Sequence, residues 1–161
     1  MSTSATEHAD RSAVAELLSR YFAAVDDKRL DAETVAATFT PDGRVVRPDG
    51  TTLVGRDTIL TGQNESFARF RVTHHMITDM ITDHVAERDG DTVRVRANMQ
   101  AMHLWADAHR DPHELQTQFV AGGVIHALAV LTPAGWRLSE LGMRPAWRTG
   151  AGLAAMARSF R

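Results

Sequence analysis

The residues of this chain best suited to acid–base chemistry are its histidines, eight among 161 residues. Two stand side by side in VTHHMITDMITDHV (Val72–Val85), where Met-Ile-Thr-Asp occurs twice in succession. Imidazole titrates at about 6.5, so its neutral form can remove a proton from carbon beside a carbonyl. Neighbouring side chains in a strand point to opposite faces, so His74 and His75 cannot both enter one cavity. With His75 inward, Ile77 follows it and His74, Met76 and Thr78 point outward. A duplication of four residues preserves parity, so Asp79 and Asp83 share the His75 face as long as no bulge intervenes. His103 lies between Ala101 and Trp105 on an apolar strand face, where desolvation lowers an imidazole pKa and keeps the ring neutral. His126, flanked by Ile125 and Ala127, is a candidate for lining a pocket, with Met99 and Trp105.

Other chemistries find less support. His109 and His113 in HRDPH lie in a Pro-containing connection, not a regular helix, so neither a metal nor another cofactor is expected. The absence of cysteine excludes disulfides, thiolate metal sites and a cysteine nucleophile. There is no G-x-S-x-G motif and no glycine-rich phosphate loop.

The elements that must position these residues can be read from periodicity. From about His8 to Asp26, Val14, Leu17, Leu18, Tyr21, Phe22 and Val25 recur at three- and four-residue steps, an amphipathic helix. DDKRLD (Asp26–Asp31) breaks it. A short second helix runs to Phe39 and ends at the turn signal TPDG. RVVRPDGTTLVG reads as a hairpin around Pro48-Asp49-Gly50, and RDTILTGQNESFARF as a third helix weakened by Gly62. The remainder reads as strands. In TVRVRANMQAMHLWA, Val93, Val95, Ala97, Met99, Ala101, His103 and Trp105 share one face. LQTQFVAGGVIHALAVLT is a long apolar strand with a bend or bulge at Gly122-Gly123, and WRLSELGMRPAW returns beside it. GAGLAAMARSF is a terminal amphipathic segment, so residues 152–160 are a candidate lid, and residues 1–7 a short flexible lead. Helices followed by a long-stranded meander predict an α+β domain. Three N-terminal helices would pack into a curved antiparallel sheet shaped as a cone, with a small-molecule cavity inside.

The bulk numbers bound the partners. A chain with 43% hydrophobic and 24% charged residues suits one globular domain over residues 1–161. Net charge is −2 and the pI about 6.4, so no electrostatic footprint for nucleic acid or anionic membrane is visible. No apolar run approaches the roughly 20 residues that span a bilayer, and the polar start lacks a signal-peptide core; a cytoplasmic location is expected. Composition hints at a GC-rich bacterial genome. Met76, Met80, Met102 and Leu104, taken as outward, suggest a homodimer through the outer sheet face.

RYFAAVDDKRLDAETVAATFTPDGRVV, GRDTI, THHMITD, RDGDTVRVRANMQAMH and AGWRLSELGMRPAW, in this order and spacing, resemble the nuclear-transport-factor-2-like superfamily in its SnoaL-like branch. The resemblance spans nearly the whole chain. It implies the cone-shaped α+β fold and a cavity enzyme, or a binding protein of the same shape. By the motifs of scytalone dehydratase, Asp26, His75 and His103 take the catalytic positions, while Val25 and Arg47 stand where that enzyme has tyrosines. By those of ketosteroid isomerase, to which the likeness is weaker, Tyr21 takes the oxyanion-binding position, but Arg47 replaces the general base. The implied activity is a cofactor-independent lyase or isomerase acting on a polyketide-like or cyclic substrate, as in secondary metabolism. An Asp26–His75 pair, or His103, would abstract the proton, and Tyr21, Arg47 or His126 would hold the enolate oxygen. Polyketide cyclisation by aldol chemistry and ligand binding without turnover remain alternatives.

Overall fold

A computed structural model describes residues 2–87, 90–109, 112–113 and 115–152. Three helices lead: α1 (Ser2–Asp26), α2 (Ala32–Thr38) and α3 (Arg56–Phe67). Six strands follow or interleave: β1 (Phe39–Val46), β2 (Thr52–Val54), β3 (Phe70–Glu87), β4 (Gly90–Trp105), β5 (Gln118–Thr132) and β6 (Gly135–Gly150). They form one sheet in the order β2-β1-β6-β5-β4-β3. Every pairing is antiparallel except β1 with β6, which is parallel. The expected wholly antiparallel sheet is therefore mixed, with α3 carrying the chain from β2 on one edge round to β3 on the opposite edge. The expected turn TPDG instead lies within β1, as a register shift between Phe39 and Arg44. The first helix begins at Ser2, so the lead expected to be flexible is helical. The expected lid beyond Gly152 lies outside the described residues.

The core sits between the helices and the concave face of the sheet. Val14, Leu18, Tyr21 and Val25 of α1 repeat every three or four residues and are buried, which removes one stripe of the helix from water. They meet the alternate residues Val93, Val95, Ala97, Met99 and Ala101 of β4, all buried. Ile59 on α3 and Leu138 on β6 complete this cluster. A second cluster, Phe70, Trp105, Phe119, Ala121 and Ala151, closes one end of the sheet.

Two local devices aim the site. Lys28 adopts the left-handed conformation (φ 57°) just after α1, and its ammonium donates to the carbonyls of Phe67 (2.7 Å) and Phe70 (2.8 Å). The end of α1 is thereby tied to the junction of α3 and β3. Gly62, which weakens α3 in isolation, allows a close approach. A Cβ there would stand 2.9 Å from the Leu53 methyls and 3.0 Å from the Arg47 guanidinium, so the ends of these two side chains would have to shift.

The duplicated Met-Ile-Thr-Asp contains a bulge. Thr78 pairs with Asn98 and Ile81 with Arg96, so Asp79 and Met80 face the single residue Ala97. Asp79 sits at φ 51° and accepts hydrogen bonds from Thr78 Oγ1 (3.0 Å) and Asn98 Nδ2 (2.9 Å). The extra residue reverses parity. Asp79 and Asp83 are exposed rather than sharing the His75 face, and Met80, expected to point outward, packs on the core.

Candidate active site

His75 and His103 reach the concave face by register. His75 lies opposite Ala101 and Thr73 opposite His103, all on the inner face of the β3–β4 pair. His74 and Met76 are exposed on the other side. Both inner histidines line a cavity of about 490 Å³ enclosed by helices and sheet. Its wall is largely apolar, with Val45, Leu53, Met99, Ile125 and Leu141 among the lining residues.

Asp26, the last residue of α1, meets His75 there. Its Oδ1 is 2.6 Å from His75 Nδ1, its Oδ2 accepts the His75 backbone N–H at 2.8 Å, and Thr73 Oγ1 donates to Oδ1 at 2.8 Å. The His75 side chain is 3% exposed and the Asp26 side chain 17%. Burial raises the Asp26 carboxyl, but the hydrogen bonds from His75 and Thr73 outweigh it and hold the group below the usual carboxylate range. An ionised carboxylate only accepts, so Nδ1–H donates to it and Nε2 is the ring nitrogen that Asp26 leaves unengaged. Phe22 and Phe67 rings, 5.1 Å and 5.6 Å away, fix the plane of the imidazole. The result is an oriented imidazole on an apolar wall.

His103 has no such carboxylate contact among the described residues. Its ring stacks on Phe119 at 4.1 Å with an angle of 6°, and Phe70 lies 4.9 Å away. The His75 ring is perpendicular to it at 5.7 Å. Burial first, and then the neighbouring His75, push the His103 pKa down to about 3, against weaker upward pulls from Asp26 and the Phe119 backbone. Its Nδ1 is buried and meets no group in hydrogen-bond geometry among the described residues. The ring is neutral at neutral pH.

Tyr21 also lines the cavity and is buried. Its hydroxyl accepts a 2.7 Å hydrogen bond from Gln63 Nε2 and keeps its own proton to donate. Burial raises its pKa to about 12, opposed by Gln63 and Arg47, so it stays a neutral donor. Sequence reasoning did not single out Gln63, although it lies four residues after buried Ile59 on the inner face of α3. Arg47 and Met99 line the cavity as well, and Arg47 donates to the Gly62 carbonyl. Arg69 and Arg148, for which the sequence carried no periodic signal, line it too.

Two expected lining residues lie elsewhere. His126 is exposed on the outer face, because the odd positions Phe119, Ala121, Ile125 and Ala127 take the inner face of β5. Trp105 points inward but packs in the second aromatic cluster, with its indole N–H on the Ala151 carbonyl at 3.1 Å. Among the described residues no group of three His, Cys, Asp or Glu is placed to hold a metal ion, and no helix is long and apolar enough to cross a membrane.

The architecture has many solved counterparts. The Kfla4162 protein of Kribbella flavida superposes with a TM-score of 0.79 at 22% identity, covering 92% of this chain and 99% of that one. A candidate scytalone dehydratase from Novosphingobium aromaticivorans gives 0.75 at 20% identity, covering 91% of each chain. The hexachlorocyclohexane dehydrochlorinase LinA-type3 of Novosphingobium barchaimii gives 0.77 at 18%, covering 93% of this chain and 96% of that one. At these identities the likeness is one of fold. No curated protein sequence matches the chain. A profile of the SnoaL-like domain matches residues 6–142, and with the helices-then-sheet order and the cavity already described, the chain belongs to the SnoaL-like family of the NTF2-like fold.

Proposed function

We propose that this protein is a cofactor-independent lyase that eliminates a β-substituent, with water as the first candidate leaving group, from a cyclic or polyketide-like carbonyl compound. The observation that carries the reading is the 2.6 Å contact of Asp26 with His75, which lines a largely apolar cavity. His75 Nε2 takes the proton from the carbon beside the carbonyl. The electron pair moves onto the carbonyl oxygen, where the Tyr21 hydroxyl donates, and Asp26 balances the imidazolium. The pair then returns to form the carbon–carbon double bond as the β-hydroxyl leaves. The proton held by His75 goes to that hydroxyl, so water departs and the base is regenerated.

Two fold neighbours bear the names of eliminating enzymes, a dehydratase and a dehydrochlorinase, which favours elimination over isomerisation as the outcome of the same first step. The outer face, where Val72, Met76, Met102 and Trp147 are exposed, is the surface we assign to contact with a second copy of the chain. Sedimentation velocity tests that assignment, with a dimer expected and a monomer contradicting it. The activity test is a panel of cyclic β-hydroxyketones in D₂O, followed by NMR. Wild type should release water and exchange the proton beside the carbonyl, and His75→Gln should do neither. Unchanged exchange in His75→Gln would refute the assignment of the base.

A further inference from the structure

Three arginines line the cavity: Arg47 just after β1, Arg69 between α3 and β3, and Arg148 on β6. All three are half-buried, which places them where the cavity opens. Among the described residues none meets a carboxylate. The ion pairs there are Arg20–Glu16, Arg29–Asp27 and His75–Asp26. Two acids, Asp49 and Glu65, also line the cavity, but neither is in ion-pair contact with these arginines: Asp49 accepts from Thr51 N (3.0 Å) and Oγ1 (2.8 Å), and Glu65 is exposed. Burial lowers the Arg69 pKa first, and the neighbouring Arg47 guanidinium lowers it further.

Each of the two is nonetheless held in place. Arg47 donates to the Gly62 carbonyl, and Arg69 Nε to the Ser66 carbonyl at 3.1 Å, with its guanidinium 5.7 Å from the Phe70 ring centre. A guanidinium carries five N–H donors, so most remain available to an incoming group. Two fixed, like-charged forks facing one space, neither paired with a carboxylate among the described residues, form a receptor for an oxyanion, since planar forks match carboxylate and phosphate in bidentate fashion.

We propose that the substrate carries an oxyanionic group, a carboxylate, phosphate or sulfate, seated by Arg47 and Arg69 while its apolar ring system extends toward His75. This deepens the elimination reading and rests on it only for which end reacts. Arg148, also without a carboxylate partner, adds positive potential at the same opening.

The probes are 2-naphthoate and 2-naphthyl phosphate against the neutral 2-naphthamide, titrated calorimetrically into the full chain. At least one anion should bind about tenfold tighter than the amide, with a preference that weakens as salt rises. Arg47→Gln/Arg69→Gln should bring the ratio close to one, while Arg47→Lys/Arg69→Lys keeps part of it; circular dichroism confirms that both are folded. Anions that bind no better than the amide, no saturable binding of either at millimolar concentration, or a preference that survives the double Gln change would each overturn the proposal. A preference for one anion tells carboxylate from phosphate. Because binding is read without turnover, His75→Gln should retain the preference. Loss of all elimination activity with binding intact would sink the catalytic reading alone.

Discussion

The inner wall of the cavity has two halves, and each buries a histidine in a different way. On the β3 side His75 shares a proton with Asp26, and Thr73 and the backbone satisfy the remaining carboxylate lone pairs. On the β4–β5 side His103 lies among Phe70, Phe119 and Trp105 with an unpaired Nδ1. The β3 half supplies a counter-charge for an imidazolium; the other half does not. A ring that must become charged during a reaction needs the first environment, and a ring that must stay neutral suits the second. Proximity to a substrate is common to both, so the partner of the ring, and not its position, assigns the base.

The largest expected effect breaks the β3 half. His75→Gln should lower elimination about 10²–10⁴-fold in steady-state assays, as for loss of a positioned general base. Asp26→Asn should approach it, because the amide no longer fixes the tautomer. His103→Leu should leave far more activity, and equal losses at the two histidines would erase the distinction. Tyr21→Phe tests the oxyanion donor and should cost about 10²-fold in turnover.

Acid sharpens the contrast through stability. The unfolded His103 binds a proton near pH 6.5, while the folded ring resists until about pH 3. The unfolded state therefore binds more protons across that window, and stability falls as pH drops through it and is flat above it. Asp26 works in the same direction at lower pH, since its depressed carboxyl stabilises the fold above the unfolded carboxylate pKa. Denaturant melts at pH 7 and pH 4 should show His103→Leu losing less stability on acidification than wild type, by about 3 kcal/mol. An equal acid loss in both would contradict the burial of that ring.

The smallest effect concerns the duplicated tetrapeptide, where two identical sequences face opposite ways. Ile77 packs on the core, and Ile81 is 53% exposed beyond the bulge. Ile77→Asn should destabilise by about 1–3 kcal/mol, whereas Ile81→Asn should stay within about 0.5 kcal/mol. Reversed values would mean that the register does not shift between Thr78 and Ile81.

These examples also mark what the sequence could and could not convey. The order of elements was legible from periodicity, and alternation along β4 correctly set His103 on the inner face. Alternation would also have excluded His126, since it lies between the inward Ile125 and Ala127. The bulge at Asp79 was not legible, because Met-Ile-Thr-Asp offers no glycine to signal a left-handed residue. The parallel pairing of β1 with β6 is a long-range choice that local patterns do not encode. Arg69 and Arg148 gather at the cavity through tertiary placement alone.

The most direct test is a long-range ¹H–¹⁵N NMR experiment on the histidine rings. His75 should carry a proton on Nδ1, showing a strongly deshielded Nδ1 proton that disappears in Asp26→Asn. A His75 ring protonated only at Nε2, with a spectrum unchanged by that substitution, would contradict the carboxylate–imidazole pairing from which the proposed chemistry starts.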